Sequence, residues 1–202
     1  MNFTTLLIDL DDTVYPADSG VWQAIRQRID LFVCEKFQLP WEEARQFRQK
    51  LFLEYGTTLR GLQAVYHIDE DEYLAFVHDV PLADFLKPDP ALEQVLKQLP
   101  HRKIIFTNAD TAHARRVLAV LGLEACFDEI IDIKVMSPYC KPMPAAFEIA
   151  LQRAGVEDPA GCMLVDDQAP YVPKRLEEGG RILRLSRLGG NSWLGGRARS
   201  RI

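Results

Sequence analysis

The segment that decides the fold is residues 3–13, FTTLLIDLDDT, in which an apolar run ends abruptly in a cluster of acidic residues. The run from Phe3 to Ile8 predicts a buried β-strand. In an open parallel sheet, ligands bind beyond the carboxyl ends of the strands. Asp9, Asp11 and Thr13 therefore stand where a functional site is expected.

Strands and helices alternate from Pro88 onward. The predicted strands are 103–107, 130–133, 162–165 and 181–185, and the predicted helices are 90–99, 172–178 and two segments that end at Gly122 and Gly155. This alternation predicts a Rossmann-like α/β fold, a parallel sheet with helices on both faces. We assign residues 1–16 and 88–202 to this core domain.

The intervening segment has a different periodicity. Apolar residues recur at helical spacing in 22–33 and 40–55, and a shorter helix is expected after Asp69. We therefore predict that residues 17–87 form an all-helical inserted cap domain of 71 residues.

Composition limits the class of protein. The chain has 202 residues, of which 48% are hydrophobic and 26% charged, as in an ordinary globular domain. It holds no apolar run of about 20 residues and no recognisable secretory signal, so we expect no membrane association and a cytoplasmic location. The net charge is −5, and residues 1–180 contain 29 acidic residues but only 18 basic ones. A nucleic-acid partner is therefore not expected.

The cysteines and histidines do not suggest a metal site. The four cysteines are widely spaced, and we expect reduced thiols. The four histidines have no zinc-binding spacing, and we expect them at the surface or in the cap.

Polar residues follow two further strands at the same predicted edge. Thr107 and Asn108 follow KIIF, and Asp166 and Asp167 follow MLV. Two carboxylate pairs at one edge repel each other unless a cation lies between them. Oxygen ligands favour Mg²⁺. We therefore expect a metal site that draws on the four aspartates Asp9, Asp11, Asp166 and Asp167.

The same edge has the parts of a phosphate site. Thr107 and Asn108 lead into a helix whose first N–H groups can bind phosphoryl oxygens. Lys141 adds a positive charge, so Thr107, Asn108 and Lys141 are the predicted substrate-binding residues. With charge neutralised in this way, one aspartate can attack phosphorus and form an aspartyl-phosphate.

These segments resemble the four motifs of the haloacid-dehalogenase superfamily of phosphohydrolases, in order: DLDDT, IIFTN, KPxPxxF and LVDD. The resemblance implies a helical cap in the 94-residue gap between Thr13 and Thr107. It also implies that Asp9 is the nucleophile and that Asp11 is the general acid and base, with its backbone carbonyl facing Mg²⁺. Thr107 and Lys141 would bind the phosphoryl group, with Lys141 as the third catalytic residue beside Asp9 and Asp11. Asp167, assisted by Asp166, would bind the metal. In this superfamily, an aspartate at the position of Asp11 favours phosphoryl chemistry over dehalogenation.

The cap segment resembles that of pyrimidine 5′-nucleotidases in residues 55–62, 67–69 and Tyr73. The predicted function is thus a Mg²⁺-dependent phosphomonoesterase for small phosphometabolites, with UMP and CMP favoured. A sugar-phosphate phosphatase or phosphomutase, or a nucleotide-binding protein with weak catalysis, is an alternative. Tyr55, Arg60 and Tyr73 are either substrate contacts or cap-packing residues, and the sequence does not indicate the oligomeric state.

Overall fold

A computed structural model describes residues 3–167 and the backbone of residues 181–184. The predicted helix 172–178 and the arginine-rich segment from 185 onward lie outside the described residues. None of the helices within residues 3–167 combines the length and the apolar character needed to cross a bilayer.

The described strands form one parallel sheet in the order β3-β2-β1-β4-β5. Their bounds are β1 Thr5–Ile8, β2 Arg102–Phe106, β3 Glu129–Ile131, β4 Cys162–Asp166 and β5 Arg181–Arg184. All four residues of β1 are buried. This central position explains why β1 is buried on both faces and has consecutive apolar residues at 6–8 rather than an alternating pattern. The predicted α/β class is confirmed.

The helices described in the structure fill the segment between β1 and β2 and alternate with the later strands. Their bounds are α1 Val21–Phe37, α2 Trp41–Tyr55, α3 Thr58–Tyr66, α4 Glu70–Val77, α5 Leu82–Phe85, α6 Pro90–Gln98, α7 Thr111–Leu121 and α8 Pro144–Arg153. The sequence reasoning did not predict α3. Thr57 caps this helix by accepting the N–H of Arg60 at 3.1 Å, and Gly61 allows close packing on Leu51.

The direction of the chain along the sheet reverses between β1 and β4. From β1 it moves outward to β2 and β3, and then returns to β4 on the other side of β1. Because crossovers between parallel strands are right-handed, we expect α6 and α7 on one face and α8 on the other. In such folds the reversal opens a crevice at the carboxyl edge, which is the usual ligand site.

The helical segment is tied to the core at its C-terminal end. Arg116 of α7 donates hydrogen bonds to the carbonyl oxygens of His78 (2.8 Å) and Val80 (2.7 Å), and α5 packs on α7. The chain from residue 78 to α5 therefore lies against the core helix. The exact domain boundaries, 16/17 and 87/88, stay predictions.

Candidate active site

The register of the sheet brings the predicted motifs together. Ile8 of β1 pairs with Val165 of β4, so the next residues, Asp9 and Asp166, emerge side by side. On the other side, Ile8 pairs with Ile105 of β2, which places Thr107 at the same carboxyl edge. The site therefore lies at the reversal of strand order.

Asp9 is buried and held at both carboxylate oxygens. Its Oδ1 lies 2.6 Å from Nζ of Lys141, and its Oδ2 accepts a hydrogen bond from the Thr13 hydroxyl at 3.3 Å. Burial raises the pKa of Asp9 to about 7; Lys141 opposes this rise, and the negative charge of Asp166 adds to it. A buried, oriented carboxylate beside a cation is well suited to act as a nucleophile.

Lys141 bridges two carboxylates. Its Nζ also lies 2.9 Å from Oδ2 of Asp166. Burial lowers the pKa of Lys141, but the charges of Asp9 and Asp166 outweigh burial and leave the pKa above its usual value. Lys141 is therefore a fixed positive charge at the edge of the sheet.

Asn108 fastens the backbone of Lys141. Its Nδ2 donates to the Lys141 carbonyl at 2.9 Å, and its Oδ1 accepts the Lys141 N–H at 2.8 Å. The structure thus shows a positioning contact for Asn108, while its predicted substrate contact stays a prediction. Sequence reasoning missed this role because 33 residues separate the two partners.

Three of the four predicted metal-binding aspartates form a cluster. Asp9, Asp166 and Asp167 each offer a carboxylate oxygen, and these oxygens lie within 4.8 Å of one another. Burial and the charge of Asp166 raise the pKa of Asp167. Oxygen donors so close together fit a hard divalent cation such as Mg²⁺.

Asp12 also lies beside this cluster. Its backbone φ is +59°, and its Oδ1 is buried without a hydrogen-bond partner among the described residues. Burial and the charges of Asp11 and Asp167 raise its pKa to about 6. The excess of buried negative charge supports the fit of a cation at this edge.

The side chain of Asp11 is engaged elsewhere. Its Oδ1 accepts a hydrogen bond from the Tyr15 hydroxyl at 2.5 Å and lies 3.2 Å from Nε2 of His113. Burial raises the pKa of Asp11, but His113 and Tyr15 outweigh burial and leave it below its usual value. Within the described residues, the Asp11 carboxylate is not part of the metal cluster, and contact through its backbone carbonyl stays a prediction.

Our expectation that His113 lies at the surface or in the cap is wrong. His113 belongs to core helix α7, is 1% exposed, and contacts Asp11. The only sequence signal was its position two residues into the helix that follows the TN motif.

A cavity of about 430 Å³ opens from the aspartates toward the helical segment. Its outer wall includes aromatic, apolar and basic side chains of Trp22, Arg26, Ile29, Phe52 and Tyr73. Its inner wall contains Asp9, Asp11, Asn108, Lys141, Asp166 and Asp167. The site can therefore hold an organic group against a polar, charged floor.

Three predicted residues do not line this cavity in the described part of the chain: Thr107, Arg60 and Tyr55. Thr107 is 1% exposed, and its hydroxyl accepts the N–H of Ala109 at 3.0 Å. Its contact with phosphate stays a prediction. Arg60 is a packing residue, since its guanidinium donates to the carbonyl oxygens of Ile133 and Tyr139.

The arrangement gathers buried carboxylates and a lysine at a strand-order reversal of an α/β sheet. Residues 3–172 match the family model of haloacid dehalogenase-like hydrolases. The chain belongs to this family, which confirms the superfamily resemblance.

One relative by sequence is Phosphate metabolism protein 8 of Saccharomyces cerevisiae. It is 30% identical over 192 residues, which span 88% of this chain and 60% of that protein. The chain thus covers less than two thirds of the length of this relative.

Solved structures share the fold at low sequence identity. L-2-haloacid dehalogenase from Xanthobacter autotrophicus superposes with a TM-score of 0.58 at 17% identity, over 93% of this chain and 79% of that one. A HAD phosphatase from Thermococcus onnurineus gives 0.56 at 20% identity, over 95% and 89%. The HAD-hydrolase YfnB of Bacillus subtilis, solved bound to magnesium, gives 0.57 at 18% identity, over 90% and 88%.

Proposed function

We propose that this protein is a Mg²⁺-dependent phosphomonoesterase that acts through an aspartyl-phosphate on Asp9. The observation that carries the proposal is the environment of the Asp9 carboxylate. One oxygen contacts Lys141 at 2.6 Å, and carboxylate oxygens of Asp9, Asp166 and Asp167 lie within 4.8 Å of one another, close enough to share one Mg²⁺ ion. The presence of Asp11 two residues further supports phosphoryl transfer.

The reaction has two balanced steps. An oxygen of Asp9 attacks phosphorus, the bond from phosphorus to the ester oxygen breaks, and Asp11 donates a proton to the departing alkoxide. Asp11 then accepts a proton from water as that water attacks phosphorus, which releases inorganic phosphate and restores Asp9. Lys141 orients Asp9 and offsets negative charge in both steps.

Asp9, Asp166 and Asp167 are the residues that would hold Mg²⁺. When bound, the cation would neutralise the carboxylates and the phosphoryl oxygens. The magnesium bound in the YfnB structure is in keeping with this assignment.

Pyrimidine nucleoside 5′-monophosphates are the proposed substrates. A cavity of about 430 Å³ with Trp22, Phe52 and Tyr73 in its wall suits a flat organic group joined to a phosphate. The resemblance of residues 55–62 and Tyr73 to the caps of pyrimidine 5′-nucleotidases supports a pyrimidine as the flat group of the substrate. The names of the yeast relative and of the Thermococcus phosphatase support phosphate chemistry.

The test is a substrate screen with purified protein. UMP, CMP, AMP, sugar phosphates and p-nitrophenyl phosphate are incubated with Mg²⁺ or with EDTA, and released phosphate is measured. We expect Mg²⁺-dependent release, fastest with UMP or CMP. If none of these esters releases phosphate in Mg²⁺, the enzyme assignment is wrong.

Variants test the assignment of the nucleophile. Asp9→Asn should abolish turnover, whereas Asp158→Asn should not. Asp158 precedes β4 and therefore lies at the amino end of the sheet, opposite the site. Full turnover by Asp9→Asn would exclude Asp9 as the nucleophile.

The screen also separates the rivals. Chloride release from 2-chloropropionate without phosphate release would favour a dehalogenase, the activity named for the Xanthobacter neighbour. Tight UMP binding in calorimetry without hydrolysis would favour a nucleotide-binding protein. Product analysis with sugar bisphosphates distinguishes a phosphomutase.

A further inference from the structure

Two stacked histidines lie behind Asp11, and the proposed reaction does not yet use them. The rings of His78 and His113 have centroids 4.2 Å apart and planes 19° from parallel. His113 is 1% exposed and His78 is 8% exposed. They come from different parts of the fold, since His78 directly follows α4 and His113 lies in α7.

The ring of His113 is directed at Asp11. Its Nε2 lies 3.2 Å from Asp11 Oδ1, while its Nδ1 is buried without a hydrogen-bond partner among the described residues. A buried imidazole ordinarily satisfies both nitrogens. Here the polar contact of the ring goes to one carboxylate oxygen of Asp11. This indicates that His113 acts by holding Asp11.

Asp110 fixes the pair from the other side. Its Oδ1 accepts the backbone N–H of His113 at 3.0 Å and contacts Nδ1 of His78 at 3.0 Å. One carboxylate thus holds the backbone of His113 and the ring stacked on it. The His113 ring therefore has little freedom to turn away from Asp11.

Both contacts to Asp11 within the described residues go to the same oxygen. Tyr15 donates to Oδ1 at 2.5 Å, and the Nε2–H tautomer of His113 donates to Oδ1 as well. These two hydrogen bonds fix the position of Oδ1, and Asp11 lines the cavity. Oδ2 is therefore the oxygen left to meet the substrate.

We propose that His113 is a positioning residue for Asp11: it holds Oδ1 and so fixes the orientation in which the Asp11 carboxylate meets the leaving group. The inference rests on the proposed function, because it assigns a part of the phosphoesterase reaction. His78 and Asp110 act through His113, and Tyr15 is the second donor to the same oxygen.

The proposal makes a selective prediction about leaving groups. An alkyl phosphate such as UMP needs a proton from Asp11 as its alkoxide departs, whereas p-nitrophenolate departs without one. The value of kcat/KM reports only the steps up to the departure of the leaving group. It therefore measures the need for a proton from Asp11 separately from the later attack of water. A defect in the position of Asp11 should therefore lower kcat/KM for UMP far more than for p-nitrophenyl phosphate.

The test compares His113→Phe, which keeps a flat ring for stacking but removes the donor, with His113→Gln, which keeps an N–H donor. For His113→Phe we expect kcat/KM to fall on the order of 100-fold with UMP and by less than about threefold with p-nitrophenyl phosphate. His113→Gln should recover about tenfold of the loss with UMP. If UMP is not hydrolysed, the alkyl ester that the wild type hydrolyses best replaces it.

His101→Phe is the matched control. His101 is also a partly buried histidine with an unpartnered Nδ1, and it stacks on Phe3 with centroids 4.4 Å apart. It precedes β2 and so lies at the amino end of the sheet, away from Asp11. We expect it to leave kcat/KM for both substrates unchanged.

An equal loss of kcat/KM for both substrates in a folded His113→Phe protein would overturn the inference, because a structural defect does not select by leaving group. If His113→Phe does not fold, Tyr15→Phe removes the other donor to Oδ1 and is expected to give the same selective loss. If Tyr15→Phe then shows no selective loss of kcat/KM, the inference is overturned. If the wild type hydrolyses both esters and the folded variants show no selective loss with the alkyl ester, this inference alone is overturned. A wild type inactive on every ester overturns the proposed function as well.

Discussion

Lys141 places its ammonium group 2.6 Å from Asp9 and 2.9 Å from Asp166, and its side chain is only 10% exposed. Removing one partner of a buried ion pair costs about 3–5 kcal/mol, because the other charge is left uncompensated. We therefore expect Lys141→Met to lower the free energy of unfolding by a similar amount in EDTA, and to abolish most phosphate release. Urea denaturation with and without Mg²⁺ measures the first effect. Because a cation can replace the lost charge, Mg²⁺ should restore part of the stability, and no response to Mg²⁺ would contradict the proposed cation site.

At the same scale, the sequence was a good guide where a residue directly follows a strand. Asp9 and Asp166 lie together because strand register places them there, and register follows from the apolar pattern. Contacts that depend on side chains from distant helices were not predictable. His113 and Asp11 are 102 residues apart, and only the packing of α7 against the sheet brings them within 3.2 Å.

At the scale of elements, α7 is capped by Asp110, the residue before its first turn, and the same carboxylate contacts His78. Burial raises the pKa of Asp110, but His78 and the N–H of His113 outweigh it and lower the pKa from 3.8 to about 2. A depressed pKa stabilises the folded state above the unfolded pKa, and this stability is lost as the pH falls toward the folded value. We expect Asp110→Asn to lower the free energy of unfolding at pH 6, and the difference from wild type to shrink between pH 4 and pH 2.

Urea denaturation of both proteins across this pH range measures the difference. The control repeats the comparison in the His78→Phe variant, in which Asp110 has lost its imidazole partner. There, Asp110→Asn should lower the free energy of unfolding by less. A difference that is independent of pH would show that the charge of Asp110 does not stabilise α7.

Most elements could be predicted because their apolar periodicity is long and clear. The strands at 103–107 and 162–165 were placed within one residue of β2 and β4 at each end. Helix α3 was missed because Gly56-Thr57-Thr58 and Gly61 indicate a turn when read locally. Its stability comes from the Thr57 cap and from packing on α2, which a local reading does not register.

At the scale of the whole molecule, Arg60 joins the helical segment to the core. Its guanidinium donates from α3 to the carbonyl oxygens of Ile133 and Tyr139, and it forms an ion pair with Glu70 at 3.0 Å. The side chain is 5% exposed, so these contacts are shielded from water. Residues 133–139 lead directly to Lys141, and Arg60 therefore couples the position of the helices to the floor of the cavity.

We expect Arg60→Met, which keeps an apolar side chain but removes the guanidinium, to lower the free energy of unfolding by about 3–5 kcal/mol, because buried carbonyls and Glu70 lose their partner. Arg45→Met is the matched control: Arg45 forms an exposed pair with Glu42 at 3.2 Å, and its loss should cost less than about 0.5 kcal/mol. Urea denaturation compares the two, and limited proteolysis should show faster cleavage between 133 and 141 in Arg60→Met alone. Since Lys141 is then less firmly placed, phosphate release by Arg60→Met should fall even at temperatures where the protein stays folded. Equal stability of the two variants would mean that the helical segment is held to the core by apolar packing, with Arg60 contributing little.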